Sequence, residues 1–449
     1  MTRRTCQAII VAAGQGTRMK SDQPKVLHQI AGLSMIGHVT KAASEAGVDL
    51  ISVVVGPDME AVQRAATAIH PAVNAHIQTD RLGTAHAVLA ARADLIDPKD
   101  DVLVLFGDTP LLTSDTLKSV RDSIAEGHDV VVLGFRSDVP DPYGRLIEQD
   151  GKLVAIREAK DCTPEEFAIS FCNAGIMGFS GKHVLELLDA IDDDNAQKEY
   201  YLTDAVEKAL AKGLGATAVE ADEDELQGVN NRQHLANVEA AFQRRARDAA
   251  MTAGATLVAP ETVYFAYDTK LGRDVLIEPN VIFAPGVTIA DHVTIRAFSY
   301  VESTKVADGC VIGPYARLRP GTVLEEGAKV GNFVEIKKAR IEKGAKVNHL
   351  SYIGDARVGE KANIGAGTIT CNYDGFDKFK TDIGKGAFIG SNTALVAPAT
   401  IGDGAIIGAG STITDPVEAD DLAFTRARPT VKSGWAASFR QKKAAKKKH

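Results

Sequence analysis

The spacing of hydrophobic positions changes along the chain, and the change marks out its parts. Up to about residue 230, short apolar runs at Cys6–Ala13, Leu50–Val55, Val102–Phe106 and Val130–Phe135 alternate with amphipathic stretches such as Met35–Ala46, Met59–Ile69 and Ala85–Asp94. Runs rich in Val, Ile and Leu suit strands covered on both faces, and the stretches between them carry the helical period. Repeated strand–helix–strand order predicts a Rossmann-like α/β domain over residues 1–232, with a mostly parallel sheet and ligands beyond the C-terminal ends of its strands. Gln233–Ala250 contains no Gly or Pro and is rich in helix formers, so residues 233–252 are predicted to be a helical connector that stops near Gly254.

A different period rules residues 253–430. Ile277, Phe283, Ile289, Ile295 and Val301 stand six apart, and after a five-residue step the series resumes at Val306, Ile312, Leu318, Leu324, Val330 and Ile336. It continues through Ile341, Val347, Ile353, Val358 and Ile364, breaks at 371–382, and runs on from Ile383 through Ile389, Leu395, Ile401 and Ile407 to Ile413. A helix repeats near 3.6 and a strand at 2, so neither sustains a period of six. Three six-residue steps make one triangular coil with aliphatic side chains stacked inside. The pattern predicts a left-handed parallel β-helix of hexapeptide repeats, with 371–382 thrown out as a loop. Residues 431–449 form a tail whose basic run, Lys442 to His449, reads as a solvated disordered end.

Composition narrows the class further. With 449 residues the chain exceeds a single core, and 45% hydrophobic with 24% charged residues is an ordinary globular balance. A formal net charge of −8 disfavours non-specific nucleic-acid binding. No stretch approaches the roughly 20 apolar residues of a membrane span, and the N-terminus carries no signal-peptide pattern. The five cysteines are scattered without metal-type spacing, as expected of buried thiols in a reducing cytoplasm.

Candidate chemistry begins directly after the first strand, at Ala12-Ala13-Gly14-Gln15-Gly16-Thr17-Arg18-Met19, followed by Pro24-Lys25. Glycines let backbone N–H groups approach a phosphate, and Arg18 and Lys25 add positive charge. The spacing fits neither the dinucleotide fingerprint nor a P-loop, and alone it is equally a tight turn. Phe106-Gly107-Asp108-Thr109-Pro110 puts a carboxylate at a strand end, where a magnesium ion on phosphates or a simple helix cap are both readings. Gln78 and Leu82-Gly83-Thr84 suit a base. Tyr143-Gly144-Arg145, Glu158, Asn173 and the Glu199–Asp204 segment suit sugar hydroxyls, and Gly228-Val229-Asn230-Asn231 follows where the domain closes.

In this order these motifs resemble the sugar-phosphate nucleotidyltransferases. The resemblance implies UTP binding by Ala12, Ala13, Gly14, Gly16, Lys25, Gln78, Gly83 and Thr84, with Arg18 and Lys25 catalytic at the triphosphate. It implies Asp108 and Asn230 as magnesium ligands. Gly144, Glu158, Asn173, Thr203 and Asn230 would hold N-acetylglucosamine-1-phosphate.

The β-helix has chemistry of its own. Leu318, Ile336 and Ile353 fall one coil apart, so Arg319, Lys337 and Gly354 should share an edge. Coils stack about 4.8 Å apart, and two cations at that distance call for an anion or neighbouring acids. A phosphate-bearing substrate and a solvated charged ridge both remain open on this feature alone. His349, in Asn348-His349-Leu350-Ser351-Tyr352, is either a structural histidine or a base able to take a proton from an amine.

Gly331-Asn332-Phe333-Val334-Glu335-Ile336-Lys337, Asn363-Ile364-Gly365-Ala366-Gly367-Thr368 and Cys371-Asn372-Tyr373-Asp374-Gly375 complete the pattern. With them the whole chain resembles the bacterial bifunctional N-acetylglucosamine-1-phosphate uridylyltransferase/glucosamine-1-phosphate N-acetyltransferase family. That resemblance implies His349 as general base, with Glu335 a helper, and Arg319, Lys337, Tyr352, Asn363, Asn372 and Tyr373 around glucosamine-1-phosphate. It implies Ala366, Ser391, Ala409 and Arg426 along the acetyl-CoA cleft, and a homotrimer. The rival reading is a single-function nucleotidyltransferase on a β-helix scaffold. His349 and the Asn372-Tyr373 loop speak against it, because a bare scaffold needs neither.

Overall fold

Nine strands build the sheet of the first unit: β1 (Cys6–Val11), β2 (Leu50–Val55), β3 (Val73–Ile77), β4 (Asp101–Phe106), β5 (Val130–Arg136), β6 (Arg145–Gln149), β7 (Lys152–Arg157), β8 (Phe171–Ser180) and β9 (Ala216–Glu220). They are seen in a computed structural model that describes residues 3–138, 143–195 and 197–446. The chain divides into two compact units, Met1–Asp248 and Ala249–His449.

The sheet order is β9-β5-β8-β4-β1-β2-β3, with β6 and β7 attached as a hairpin beside β8. The central strands are parallel, and Ile9, Ile10, Val53, Val54, Leu103 and Val104 are fully buried because helices cover both faces. Helices Met35–Glu45 and Ser114–Ala125 turn Ile36, Val39, Leu117 and Val120 into the core. Their first turns are satisfied by Ser34 and Thr113, whose side chains accept from the N–H of Gly37 and Thr116. Strand β8 runs antiparallel between β4 and β5, a reversal that the apolar runs did not announce. The connector is helical over Arg232–Thr252 and Gly254 follows with φ 103°. Its first turns sit on the first unit, where Glu239 accepts from the Ala31 N–H at 2.8 Å and Arg245 donates to the Leu111 carbonyl at 3.0 Å.

The second unit is a left-handed parallel β-helix. Its three faces are parallel sheets of ten, eight and eight strands. On the first face Ile277, Ile295, Ile312, Val330, Val347 and Ile364 are successive register partners. Val301, Leu318, Ile336 and Ile353 do the same on the second face, and Leu324, Ile341 and Val358 on the third. Every one of these side chains is buried, each contributing about 1.5–3 kcal/mol of apolar burial. The five-residue steps all fall at the corner from the second to the third face. The 371–382 loop leaves at that same corner, between strands Ile369–Cys371 and Thr381–Ile383, and is pinned by an antiparallel bridge of Tyr373 with Lys378.

The basic tail differs from its expectation. Trp435–Lys446 is a helix with no buried residue, not an irregular end. Ala, Gln, Arg and Lys favour helix, Trp435 stacks on Phe439 one turn away at 5.1 Å, and Lys443 lies 5.6 Å over the Phe439 ring. Residues 447–449 lie outside the described residues. No helix among the described residues is long and apolar enough to cross a membrane.

Candidate active sites

Parallel strands deliver their following loops to one edge, and the first site forms there. The glycine turn follows β1, Gln78 follows β3, and Gly107-Asp108 follows β4. A cleft of about 330 Å³ is lined by Gly14, Gln15, Gly16, Thr17, Arg18, Lys25, Arg81 and Asn230. Gly16 has φ 62°, and a Cβ there would lie 2.6 Å from the Lys25 Cβ, so only glycine lets the turn close over the lysine. The Lys25 ammonium ion-pairs with Asp108 and donates to Asn230 Oδ1 at 3.4 Å, and Arg18 donates to the same oxygen at 3.0 Å. Asn230 is held in place because the Val229 N–H donates to the Asp108 carbonyl at 2.9 Å. Of the polar residues chosen from sequence, Arg18, Lys25 and Asn230 line this cleft, and Asp108 joins them through Lys25. Arg81, which no motif singled out, joins them by donating to the Ala13 carbonyl at 3.2 Å. Ala12 and Ala13 are buried, so they offer backbone rather than side chain.

Gln78 is buried, with its amide 3.3 Å from His86 Nδ1. The Gly83 turn is packed against the Glu199–Asp204 segment. A Cβ on Gly83 would lie 2.5 Å from the Tyr200 carbonyl oxygen at a φ of 119°, and Thr84 Oγ1 accepts from the Leu202 N–H at 2.9 Å. Beyond it, the Asn173 N–H donates to the Gly144 carbonyl at 2.8 Å, and Thr203 Oγ1 donates to Glu158 at 3.3 Å. Burial raises the Glu158 carboxyl above its ordinary range, an effect the Thr203 hydroxyl partly offsets. Glu158 and Thr203 share a cavity of about 450 Å³ with Asp204, whose carboxyl is pushed up to about 6 by burial and by Glu207 and Asp192. Gly144 and Asn173 do not line that cavity.

On the β-helix, Arg319 and Lys337 share an edge as the register required, and Arg319 donates to Glu335 Oε1 at 2.7 Å. A third cation arrives from the protruding loop. The Lys378 ammonium, with Arg319 beyond it, pushes the Lys337 pKa down. Sequence spacing could not announce Lys378, because the loop folds back by its own turns: Asp374 Oδ1 accepts from the Phe376 and Asp377 N–H groups. Asn372 donates to Asp355 at 2.5 Å and is buried, whereas Tyr373 is exposed and its hydroxyl donates to the Gly375 carbonyl. His349 ends a first-face strand, whereas Lys337 ends a second-face strand and Arg319 directly follows one; Glu335 and Tyr352 are register partners on that second face.

A corner of small residues extends from His349. The positions two beyond Val347, Ile364, Ile389 and Ile407 are His349, Ala366, Ser391 and Ala409, and those four aliphatics are partners on successive coils. The coils close tightly here, since a Cβ on Gly390 would lie 2.4 Å from the Ala409 nitrogen. Arg426 caps the corner by donating to the Ala409 carbonyl at 2.7 Å. Asn363 lies on the first face between Lys346 and Phe388.

Comparison with known proteins agrees with this division. Residues 8–175 match the MobA-like NTP transferase domain, and residues 268–303, 303–338 and 380–415 match the bacterial transferase hexapeptide of six repeats. The fold and its two sites therefore define a nucleotidyltransferase fused to a hexapeptide-repeat transferase. Bifunctional protein GlmU of Azorhizobium caulinodans is 58% identical over 440 residues, covering 98% of this chain and 98% of that protein. GlmU proteins of Xanthobacter autotrophicus (55%, 98% of each chain) and Agrobacterium fabrum (54%, covering 99% of this chain and 98% of its own) match as fully. The chain belongs to the bifunctional GlmU family and is both a uridylyltransferase and an acetyltransferase.

Proposed function

We propose that the β-helix of residues 253–430 acetylates glucosamine-1-phosphate with acetyl-CoA. The α/β domain of residues 1–232 then transfers UMP from UTP to the N-acetylglucosamine-1-phosphate formed, releasing pyrophosphate. The product, UDP-N-acetylglucosamine, feeds peptidoglycan and lipopolysaccharide precursors. Two observations carry this reading: the corner on which His349 heads the small residues Ala366, Ser391 and Ala409, and the edge on which Arg319, Lys337 and Lys378 gather three cations. An amine held by its phosphate on Arg319, Lys337 and Lys378 would meet a thioester lying along that corner. His349 takes the amine proton as the N–C bond forms and the C–S bond breaks. Tyr352, Asn363, Asn372 and Tyr373 complete the sugar pocket, and Arg426 the acetyl-CoA cleft.

In the α/β domain Gly14 and Gly16 offer backbone N–H groups to the triphosphate, and Arg18 and Lys25 neutralise charge as a sugar phosphate oxygen attacks the α-phosphorus in line. Gln78, Gly83 and Thr84 face the uracil, and Gly144, Glu158, Asn173 and Thr203 the N-acetylglucosamine. No group of three or more His, Cys, Asp or Glu among the described residues is suited to a metal ion. One carboxylate and one amide oxygen nevertheless suit Mg²⁺, which takes most of its ligands from water and phosphates. Asp108 and Asn230 would hold it, and when bound it would offset phosphate charge. The assembly is a cytoplasmic homotrimer in this reading. Phe298, Tyr315 and Phe333, stacked on successive coils and exposed, give the β-helix an apolar ridge that a second copy would cover.

Omission of single substrates tests the order of reactions. With UTP, Mg²⁺ and glucosamine-1-phosphate alone, no pyrophosphate should appear until acetyl-CoA or N-acetylglucosamine-1-phosphate is added. Pyrophosphate release from glucosamine-1-phosphate at an equal rate without acetyl-CoA would contradict the order.

A further inference from the structure

A histidine base has two ring nitrogens, and only the one without a proton can act. Asn332 and His349 are register partners on adjacent coils of the first face. They meet because Gly331 lets the backbones close: a Cβ there would lie 2.0 Å from the Asn348 carbonyl oxygen. Each is also fixed by its own turn. Phe333, with φ 54°, stacks on Tyr315 at 5.1 Å, and the Leu350 N–H donates to the Asn332 carbonyl at 3.0 Å. At the end of this arrangement Asn332 Oδ1 stands 2.7 Å from His349 Nδ1.

An amide oxygen only accepts, so the Nδ1 facing it must donate, and the lone pair of the neutral ring is left on Nε2. Glu335 is engaged elsewhere, accepting from Arg319 at 2.7 Å, and the charged groups lining the His349 cavity are the cations Arg296 and Lys329. No carboxylate lines that cavity. We propose that Asn332 is a positioning residue of the acetyl-transfer site, holding His349 as the Nδ1–H tautomer with Nε2 facing the substrate amine. The inference rests on the reading of His349 as general base. During transfer Nε2 takes the amine proton, the Nδ1–H···O bond persists, and the Nε2 proton passes to the departing thiolate. Asn332, being neutral and lacking an acidic proton, takes no part in the proton count. Its contribution is orientation.

The test combines kinetics with a direct view of the ring in the full-length protein. Asn332→Leu should lower kcat for thiol release about tenfold while the KM values for glucosamine-1-phosphate and acetyl-CoA hold within about twofold. Uridylyl transfer from added N-acetylglucosamine-1-phosphate should be unaffected, showing that the chain is folded. Asn332→Asp keeps an acceptor oxygen and should recover most of the loss. Magic-angle-spinning NMR of ¹⁵N-histidine-labelled protein, with the His349 signals identified by their loss in His349→Ala, should show Nδ1 protonated and Nε2 bare. An Nε2–H tautomer, or full kcat in Asn332→Leu, overturns the proposal. Thiol release that survives His349→Ala instead removes the base assignment itself, and the ring signals then still report whether Asn332 orients the imidazole.

Discussion

Lys25 is paired with Asp108 and also reaches Asn230, so one lysine links that carboxylate to the amide oxygen that Arg18 also bonds. Lys25→Ala or Arg18→Ala should slow uridylyl transfer by about 10²–10³, the scale seen when one preorganised donor to a developing anion is removed, and leave thiol release intact. Radiolabelled UTP turnover beside a thiol assay checks both. Lys378→Ala should raise the KM for glucosamine-1-phosphate more than it changes kcat, because a third cation binds the phosphate in ground and transition state alike. Asp204 supplies a pH dependence. Its carboxyl, at about 6 in the folded chain against an ordinary 3.8, holds a proton that the unfolded chain has already released between those values. Stability therefore falls as pH rises through that window and stays lower above it. Asp204→Asn should raise the melting temperature of the first unit at pH 8, with the gain shrinking towards nothing at pH 4. Among the candidate site residues, the positions of those within a motif are legible in the sequence because each motif sits at a strand end or coil corner. Arg81 and Lys378 are not, since their positions depend on how irregular loops fold back.

Strand and coil elements show the same division. A six-residue period fixes which side chain points inward, so Leu318, Ile336 and Ile353 could be stacked on paper and are partners in space. Strand β8 has no apolar-run signature because Phe171–Ser180 carries Asn173, Gly175 and Gly178 among its apolar residues, breaking the run that marks a buried strand. The tail helix is hidden for a different reason: the basic run reads as a solvated end, and the Trp435–Phe439 stack is a local contact that charge counting ignores. Close packing at the corners makes a sharp prediction. Gly390→Ala forces a Cβ to 2.4 Å from the Ala409 nitrogen, which should cost about 1–3 kcal/mol. It should also raise the KM for acetyl-CoA. A thermal melt read alongside thiol release would detect both.

At the scale of the whole molecule, the chain joins two chemistries, one making the substrate of the other, that share no residue. The uridylyl cleft is built from residues of the first unit alone, and the cation edge and its small-residue corner from residues of the second. Two separable sites in one chain is the central claim. The most direct measurement follows thiol release and pyrophosphate separately, with glucosamine-1-phosphate, acetyl-CoA, UTP and Mg²⁺ supplied to wild type, Lys25→Ala and His349→Ala. Wild type should produce both signals. Lys25→Ala should keep thiol release and lose pyrophosphate, while His349→Ala should lose thiol release and regain pyrophosphate when N-acetylglucosamine-1-phosphate is added. A wild-type protein that turns over N-acetylglucosamine-1-phosphate but never releases thiol would reduce the β-helix to a scaffold and contradict the account.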